Sequence, residues 1–135
     1  MAQSTEILPN GLQLLQDDRF FKLGQDSVLL SAFAKPRRNA KLLDLGCGTG
    51  ALALLVWRPD LTITGLELQD GPLDLFRQSI AANELENVTA LQGDLRQMRT
   101  LLPHGSMDYV ICNPPYVDRN AGANAPTAEK RTARQ

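Results

Sequence analysis

Lys41-Leu42-Leu43-Asp44-Leu45-Gly46-Cys47-Gly48-Thr49-Gly50, followed at once by Ala51-Leu52-Ala53-Leu54-Leu55-Val56, is the stretch that decides the fold. The first five residues read as a buried strand, the alternating glycines as a tight turn, and the alanine–leucine run as a helix start. Glycines at alternate positions let the backbone turn where side chains would block it, and they leave room for a ligand against bare main chain. A helix beginning near Ala51 directs its unpaired N–H groups and positive dipole end into that turn. The spacing is Asp-x-Gly-x-Gly-x-Gly. It is neither the Gly-x-Gly-x-x-Gly of dinucleotide enzymes nor a turn ending in Gly-Lys-Ser/Thr for nucleoside triphosphates. Asp44 sets a negative charge where a pyrophosphate would be repelled, so a ligand with a cationic centre and no phosphate suits the turn better. The competing reading is an ordinary strand-to-helix turn.

Outward from this unit, strand and helix signals alternate. A second strand is predicted from Leu61 to Leu66 and a helix from Asp70-Gly71-Pro72, with proline suited to its first turn. Leu73, Phe76 and Ile80 recur on one face of that helix, which ends near Asn83. A third strand covers Val88 to Leu91, then a short helix runs to Leu102 before Pro103, and a fourth strand covers Met107 to Cys112. Short apolar strands separated by helices predict an α/β fold: about four parallel strands, flanked by helices on both faces. The helix from Ala51 is expected to reach Trp57, where Arg58-Pro59 stops it.

Upstream, Met1 to Glu6 reads as a loose start. Asn10-Gly11 between apolar runs signals an N-terminal β-hairpin, and Asp17-Asp18 offers a second turn. Asp26 or Ser27 is a candidate N-cap for a helix that Pro36 closes. The reading divides the chain into 1–40 (hairpin and helix extension), 41–117 (α/β core) and 118–135 (polar loop or tail). Residues 118–135 hold only alanine as an apolar residue and carry Arg119, Lys130, Arg131 and Arg134. Four strands are fewer than the usual five or six. The fourth would keep a bare edge that invites self-association, and the chain is expected to be a fragment of a longer protein.

Composition bounds the function classes. The chain has 135 residues, a 43% hydrophobic and 21% charged composition, and a net charge of −1. That is one globular domain with no global basic field, so nucleic acid must be held by a local patch. No apolar run approaches the roughly 18–20 residues of a membrane span, and no signal-peptide pattern opens the chain. Cys47 and Cys112 lack metal-ligand spacing and are read as small packed thiols, close together across neighbouring strands, in a reducing cytoplasm. His104, between Pro103 and Gly105, is read as an exposed loop residue.

The residues suited to chemistry fall at the ends of the predicted strands. Glu67, about twenty residues after the glycine turn, can accept both hydroxyls of a ribose, as the acidic residue does in dinucleotide folds. A solvated strand-end glutamate is the alternative. Asp94 can accept a hydrogen bond from an adenine amine or serve as a helix N-cap, and the two roles are compatible. The sharpest signal is Asn113-Pro114-Pro115-Tyr116 directly after an apolar strand. Two prolines there commonly just end a strand. That leaves the preceding amide and the following aromatic unexplained. A conjugated –NH2 is a poor nucleophile because its lone pair is delocalised. The Asn113 side-chain oxygen and the Pro114 carbonyl can accept its two hydrogens, while Tyr116 stacks on the planar group.

Asn113-Pro114-Pro115-Tyr116 together with Asp44–Gly50 resembles the amino-methyltransferases among class I S-adenosylmethionine-dependent methyltransferases. These act on adenine N6, cytosine N4 or the glutamine side chain. Gln16-Asp17-Asp18-Arg19-Phe20-Phe21-Lys22-Leu23-Gly24-Gln25-Asp26-Ser27-Val28-Leu29-Leu30 is similar, more narrowly, to the start of the bacterial tRNA-valine adenine-N6 methyltransferase family, which modifies the adenine next to the anticodon. The resemblance covers nearly the whole chain. It implies a partial Rossmann-like class I methyltransferase fold, S-adenosylmethionine as cofactor, tRNA as partner, and no metal or membrane. It assigns Asn113, Pro114, Pro115 and Tyr116 to catalysis. On the cofactor side it places Asp44, Gly46, Cys47, Gly48, Gly50, Glu67, Leu68, Asp94 and Asn113, with Gln16, Gly24 and Asp26 from the N-terminal block. Two alternatives stand beside it: a protein glutamine-N5 methyltransferase, and a truncated module that binds cofactor without turnover.

Overall fold

The computed structural model describes residues 3–20, 25–102 and 105–112. Strands β1 (Gln3–Ile7) and β2 (Gln13–Asp17) form an antiparallel hairpin, followed by helix α1 (Gln25–Phe33). Then come β3 (Lys41–Leu45), α2 (Ala51–Leu55), β4 (Thr62–Glu67), α3 (Asp70–Ala82), β5 (Val88–Gln92), a 3-10 turn at Leu95–Gln97, α4 (Met98–Leu101) and β6 (Tyr109–Cys112). The last four strands make one sheet in the order β5-β4-β3-β6, every pair parallel. This is the α/β architecture expected from the alternation of apolar runs. The chain steps outward from β3 through β4 to β5 and then returns to the other side of β3. The order therefore reverses between β3 and β6, and open α/β sheets bind ligands outside the carboxyl ends of strands at such a reversal.

Register sorts the strand residues onto two faces. Leu42, Ile63, Val88 and Ile111 lie on one, in the same buried cluster as Leu52 and Leu54 of α2, Leu73 and Phe76 of α3, and Leu14 of the hairpin. Leu43 and Leu66 lie on the other, where Leu101 of α4 packs against the bare backbone of Gly93. Toward β6 that second face carries exposed side chains among the described residues: Val110 is 54% exposed, and Cys112 is exposed as well.

The tightest packing is at Phe76, fully buried on α3. A Cβ added at Gly50 would stand 2.1 Å from its ring, and one added at Gly65 would stand 2.4 Å from the ring's opposite edge. The ring occupies a slot that exists because two side chains are missing, one in the glycine turn and one in β4. The hairpin closes over the other side of α3. The Leu15 N–H donates to Ser79 Oγ at 2.9 Å, and the Gln13 N–H to Asn83 Oδ1 at 2.8 Å. Asn10, in the hairpin loop, donates to the Leu54 carbonyl at the end of α2 (2.7 Å), satisfying a group that helix termini leave open.

Several expectations are corrected. The start is not loose from Gln3 onward, because Gln3–Ile7 is a strand whose five residues are all exposed. The expected hairpin is present, with Asn10-Gly11 inside a five-residue loop, Leu8 to Leu12, and Gly11 at φ +89°. Helix α1 begins at Gln25, which puts Asp26 and Ser27 inside its first turn. Helix α2 ends at Leu55, and the Trp57 indole N–H bonds Asn87 Oδ1 at 2.9 Å. Cys47 packs as a buried thiol, but its sulfur lies against Gly65 of β4, whereas Cys112 is on β6 across β3. Cys112 is exposed, so it is not the packed thiol expected. His104 and residues 113–135, including the predicted tail, lie outside the described residues.

The Phe76 slot gives a stability prediction. Gly65→Ala forces a methyl into the ring and should cost about 1–3 kcal/mol in denaturant unfolding. Combined with Phe76→Leu, which vacates ring volume, the pair should cost about 1 kcal/mol less than the sum of the single changes. Strict additivity would show that the two groups do not compete for space.

Candidate functional site

The carboxyl ends of β3, β4 and β5 carry the predicted site residues Asp44, Gly46, Cys47, Gly48, Glu67, Leu68 and Asp94, whereas Gln16 lies in β2 and Asp26 in α1. After β3 the chain turns through Gly46 at φ +63° and Gly48 at φ +57°, and a Cβ at either would meet nothing within 4 Å among the described residues. Both glycines supply a left-handed backbone and leave open space over it, as a ligand lying on main chain requires. Gly50 serves a different purpose. Its φ of +88° and the Phe76 ring against it make it a packing position. The Cys47 N–H donates to the Leu66 carbonyl at 3.0 Å, tying the turn to β4.

Glu67 is buried at the end of β4, with both carboxylate oxygens engaged by main chain. Oε1 accepts the Gly48 N–H at 2.8 Å and Oε2 accepts the Gln69 N–H at 2.8 Å. The carboxylate thus clamps the glycine turn to the loop that enters α3. Each oxygen keeps a second lone pair, so the clamp leaves acceptor capacity for a vicinal diol. Leu68, next in the chain, is 44% exposed at the same rim.

Asp44 is the anomaly. It is 1% exposed, and its Oδ2 has no hydrogen-bond partner among the described residues. Burial pushes its pKa up to about 8, the Glu67 charge pushes the same way, and a hydrogen bond from the Ala53 N–H opposes them. A buried carboxylate left half-satisfied is costly. The natural remedy is a cation or N–H donor brought to the open oxygen. Burial, together with the charges of Asp44 and Glu67, also holds the Cys47 thiol well above its ordinary value, so it is a packing group and not a nucleophile.

Asp94, after β5, is taken up locally. Its carboxylate accepts the Arg96 N–H at 2.9 Å and pairs with the Arg96 guanidinium, which holds its pKa down at about 2. This is the cap geometry that competes with an amine-binding role, and the adjoining Arg96 side chain is 87% exposed. Gln16 is buried in β2 and donates to Glu6 Oε2 at 3.0 Å, with Asp17 beside it. Asp17 orients Arg19 through two N–H···O bonds of 3.1 and 2.9 Å, and the guanidinium lies 5.2 Å from the Phe20 ring centroid. Phe20 in turn lies where a Cβ at Gly71 would be, 2.3 Å from it, so the hairpin side of the chain reaches the first turn of α3. Sequence reasoning missed this contact. The signal was Gly71 ahead of Pro72, a glycine with no turn to make. Asp26 sits in the first turn of α1.

Gly24, Asn113, Pro114, Pro115 and Tyr116 lie outside the described residues. The described chain stops at Cys112, whose register partner is Leu45, the residue before Gly46. No group of three metal-ligating side chains occurs among the described residues, and no described helix is long and apolar enough to cross a membrane.

Comparison with known proteins agrees with this geometry. The family model for the methyltransferase small domain matches residues 24–130. A tRNA1(Val) (adenine(37)-N6)-methyltransferase of Pseudoalteromonas translucida is 35% identical over 105 residues, 76% of this chain and 44% of that protein. The proteins of the same name from Photobacterium profundum and Shewanella sp. are 31% and 34% identical, each over 81% of this chain. The chain spans about half the length of the curated relatives it matches, 44% to 47%. Among solved structures, P. horikoshii TYW2 in complex with MeSAdo superposes with a TM-score of 0.65 at 18% identity, over 89% of this chain and 45% of that one. Pyrococcus abyssi tRNA (uracil-54, C5)-methyltransferase also gives 0.65, at 15% identity over 85% of this chain and 29% of that one. At such identities these two establish the Rossmann-like methyltransferase fold.

The Asp44 environment predicts a pH-dependent stability difference. The folded carboxyl titrates at about 8 and the unfolded one near 3.8, so the folded state binds the extra proton and loses stability as pH rises through that window. Asp44→Asn removes the titration. Its unfolding midpoint should match wild type below about pH 4 and exceed it by a growing margin up to about pH 8. A constant difference at every pH would contradict the assignment.

Proposed function

The chain belongs to the methyltransferase small domain family, and from that premise we propose that it works with S-adenosylmethionine to methylate the exocyclic N6 amine of an adenine in tRNA. The observation that carries the donor half is the half-satisfied Asp44 carboxylate beside an open glycine turn at the strand-order reversal. These residues fit a donor that is cationic and has no phosphate. Asp44 accepts from its ammonium or faces its positive charge. Gly46, Gly48 and the Cys47 main chain cradle its amino-acid part, and Glu67 takes the ribose hydroxyls. Leu68 packs on the purine, with Asp94 at its amine edge. Gln16, Gly24 and Asp26 complete the donor side from the N-terminal block. When bound, S-adenosylmethionine supplies an electrophilic methyl group on a sulfonium.

The acceptor half rests on Asn113-Pro114-Pro115-Tyr116, which follows the Leu45–Cys112 register pair in sequence and falls within the span matched by the family model. The Asn113 side-chain oxygen and the Pro114 carbonyl accept the two N–H hydrogens of the target amine, drawing its nitrogen toward tetrahedral geometry. Tyr116 stacks on the base, and Pro115 stiffens the corner. No group has to remove a proton before attack, because the amine sheds it after methylation. Rate enhancement comes from positioning and from the placement of charge around the reacting centre. The adenine must leave its stack to enter, which is cheapest in a loop. The relatives named for tRNA1(Val) adenine-37 support this acceptor.

Transfer of labelled methyl to unmodified tRNA tests the whole reading. Asn113→Ala should lower transfer by at least about a hundredfold while S-adenosylhomocysteine still binds. Donor affinity should rise with pH as Asp44 ionises near 8, since the donor's cation favours the charged carboxylate. Label that appears on a protein glutamine and not on tRNA would move the acceptor to the alternative class. Donor binding without transfer would make the chain a binding module.

A further inference from the structure

We propose that Gln92 is a positioning residue of the donor site, holding the Leu68–Asp70 segment in the conformation that presents Glu67 and Leu68 to the donor's adenosine. This inference rests on the donor reading above and adds a residue to it.

Gln92 ends β5 and is the register partner of Glu67, and the neighbouring Gly93 N–H donates to the Glu67 carbonyl at 3.0 Å. From there the Gln92 side-chain amide reaches across the strand end. Its Nε2 donates to the Leu68 carbonyl at 3.3 Å and also to Asp70 Oδ1. One –NH2 group therefore holds two points on either side of Gln69, whose own N–H is held by Glu67 Oε2. The chain of contacts runs from Gln92 through the Leu68–Asp70 segment to the Glu67 carboxylate, and from there to the Gly48 N–H. The glutamine –NH2 has two donors and so serves a carbonyl and a carboxylate at once, which glutamate and leucine cannot do.

What this arrangement holds has little to do with the core. Leu68 is 44% exposed and the Gln92 hydrogen bonds are exposed, so they contribute little to global stability. Their effect is local: they fix the main chain that carries an uncovered apolar side chain at the rim of the crevice. An ordered rim lowers the entropy lost when a ligand packs against it.

Calorimetry with S-adenosylhomocysteine, thermal unfolding and donor-dependent kinetics on the same variants test the proposal. Gln92→Leu should weaken binding about tenfold with the melting temperature unchanged, and the loss should appear in KM for the donor rather than in kcat. Gln92→Glu should be worse near neutral pH, because a second carboxylate then faces Asp70 and the Leu68 carbonyl. Combining Gln92→Glu with Asp70→Asn reverses donor and acceptor across the same contact and should recover part of the affinity. Wild-type affinity in Gln92→Leu overturns the proposal and leaves the donor site standing. Affinity and melting temperature falling together, with no recovery in the double variant, also overturns it, because Gln92 would then be a general structural contact. Failure of the wild type to bind S-adenosylhomocysteine overturns the donor reading itself.

Discussion

Two missing Cβ atoms govern this molecule. Because Gly50 and Gly65 are bare, the Phe76 ring fits between the glycine turn and β4, and α3 can lie close against the sheet. That approach sets the position of the loop between β4 and α3, and with it the Gln69 N–H that Glu67 accepts. The same carboxylate then reaches back to Gly48. An apolar fit in the core is converted in this way into the polar geometry of the rim. The hairpin contributes by covering α3 from the other side through Ser79 and Asn83, so the helix is fixed on both flanks.

Asp44 and Glu67, at the ends of adjacent strands, are both carboxylates and both buried, yet the backbone treats them differently. Glu67 receives two main-chain N–H donors and acts as a fastener. Among the described residues Asp44 receives one, from Ala53, and keeps an oxygen without a partner at 1% exposure. A fold selected for stability alone would have given that oxygen a donor, because burial otherwise keeps the group protonated below about pH 8 and costs stability as it ionises. The asymmetry separates the two groups: one fastens the turn, and the other keeps an oxygen without a partner among the described residues.

Much of this was legible in the sequence because the governing signals are local. The strand Lys41–Leu45, the helix from Asp70 to the Asn83 cap and the parallel alternation follow from apolar periodicity and glycine–proline punctuation. Strand β1 escaped notice because all of Gln3–Ile7 is exposed, and an exposed strand has no buried alternation to display. Helix α2 is shorter than its leucine run suggests, since Trp57 is drawn off to Asn87, thirty residues away. The positions of Glu67 and Asp94 at strand ends were readable. Their partners were not, because Gly48 and Arg96 donate main-chain or local groups that leave no compositional trace. Cys47 and Cys112 lie two and zero residues from the Leu45 register line, yet the turn carries Cys47 toward β4. Gln92 showed no pattern in one dimension, and Gly71 showed only a glycine ahead of Pro72, because each matters through a neighbour brought in by the fold.

The central claim is that the crevice at the carboxyl ends of β3 and β4 receives a cationic adenosyl donor. The most direct measurement is an amide chemical-shift map of the uniformly labelled chain titrated with S-adenosylmethionine. The account predicts saturable shifts concentrated at Gly46, Cys47, Gly48, Leu68 and Gln69, with Gln3–Ile7 and Asn87 unmoved. Shifts confined to the opposite end of the sheet, or none at millimolar donor, would contradict it.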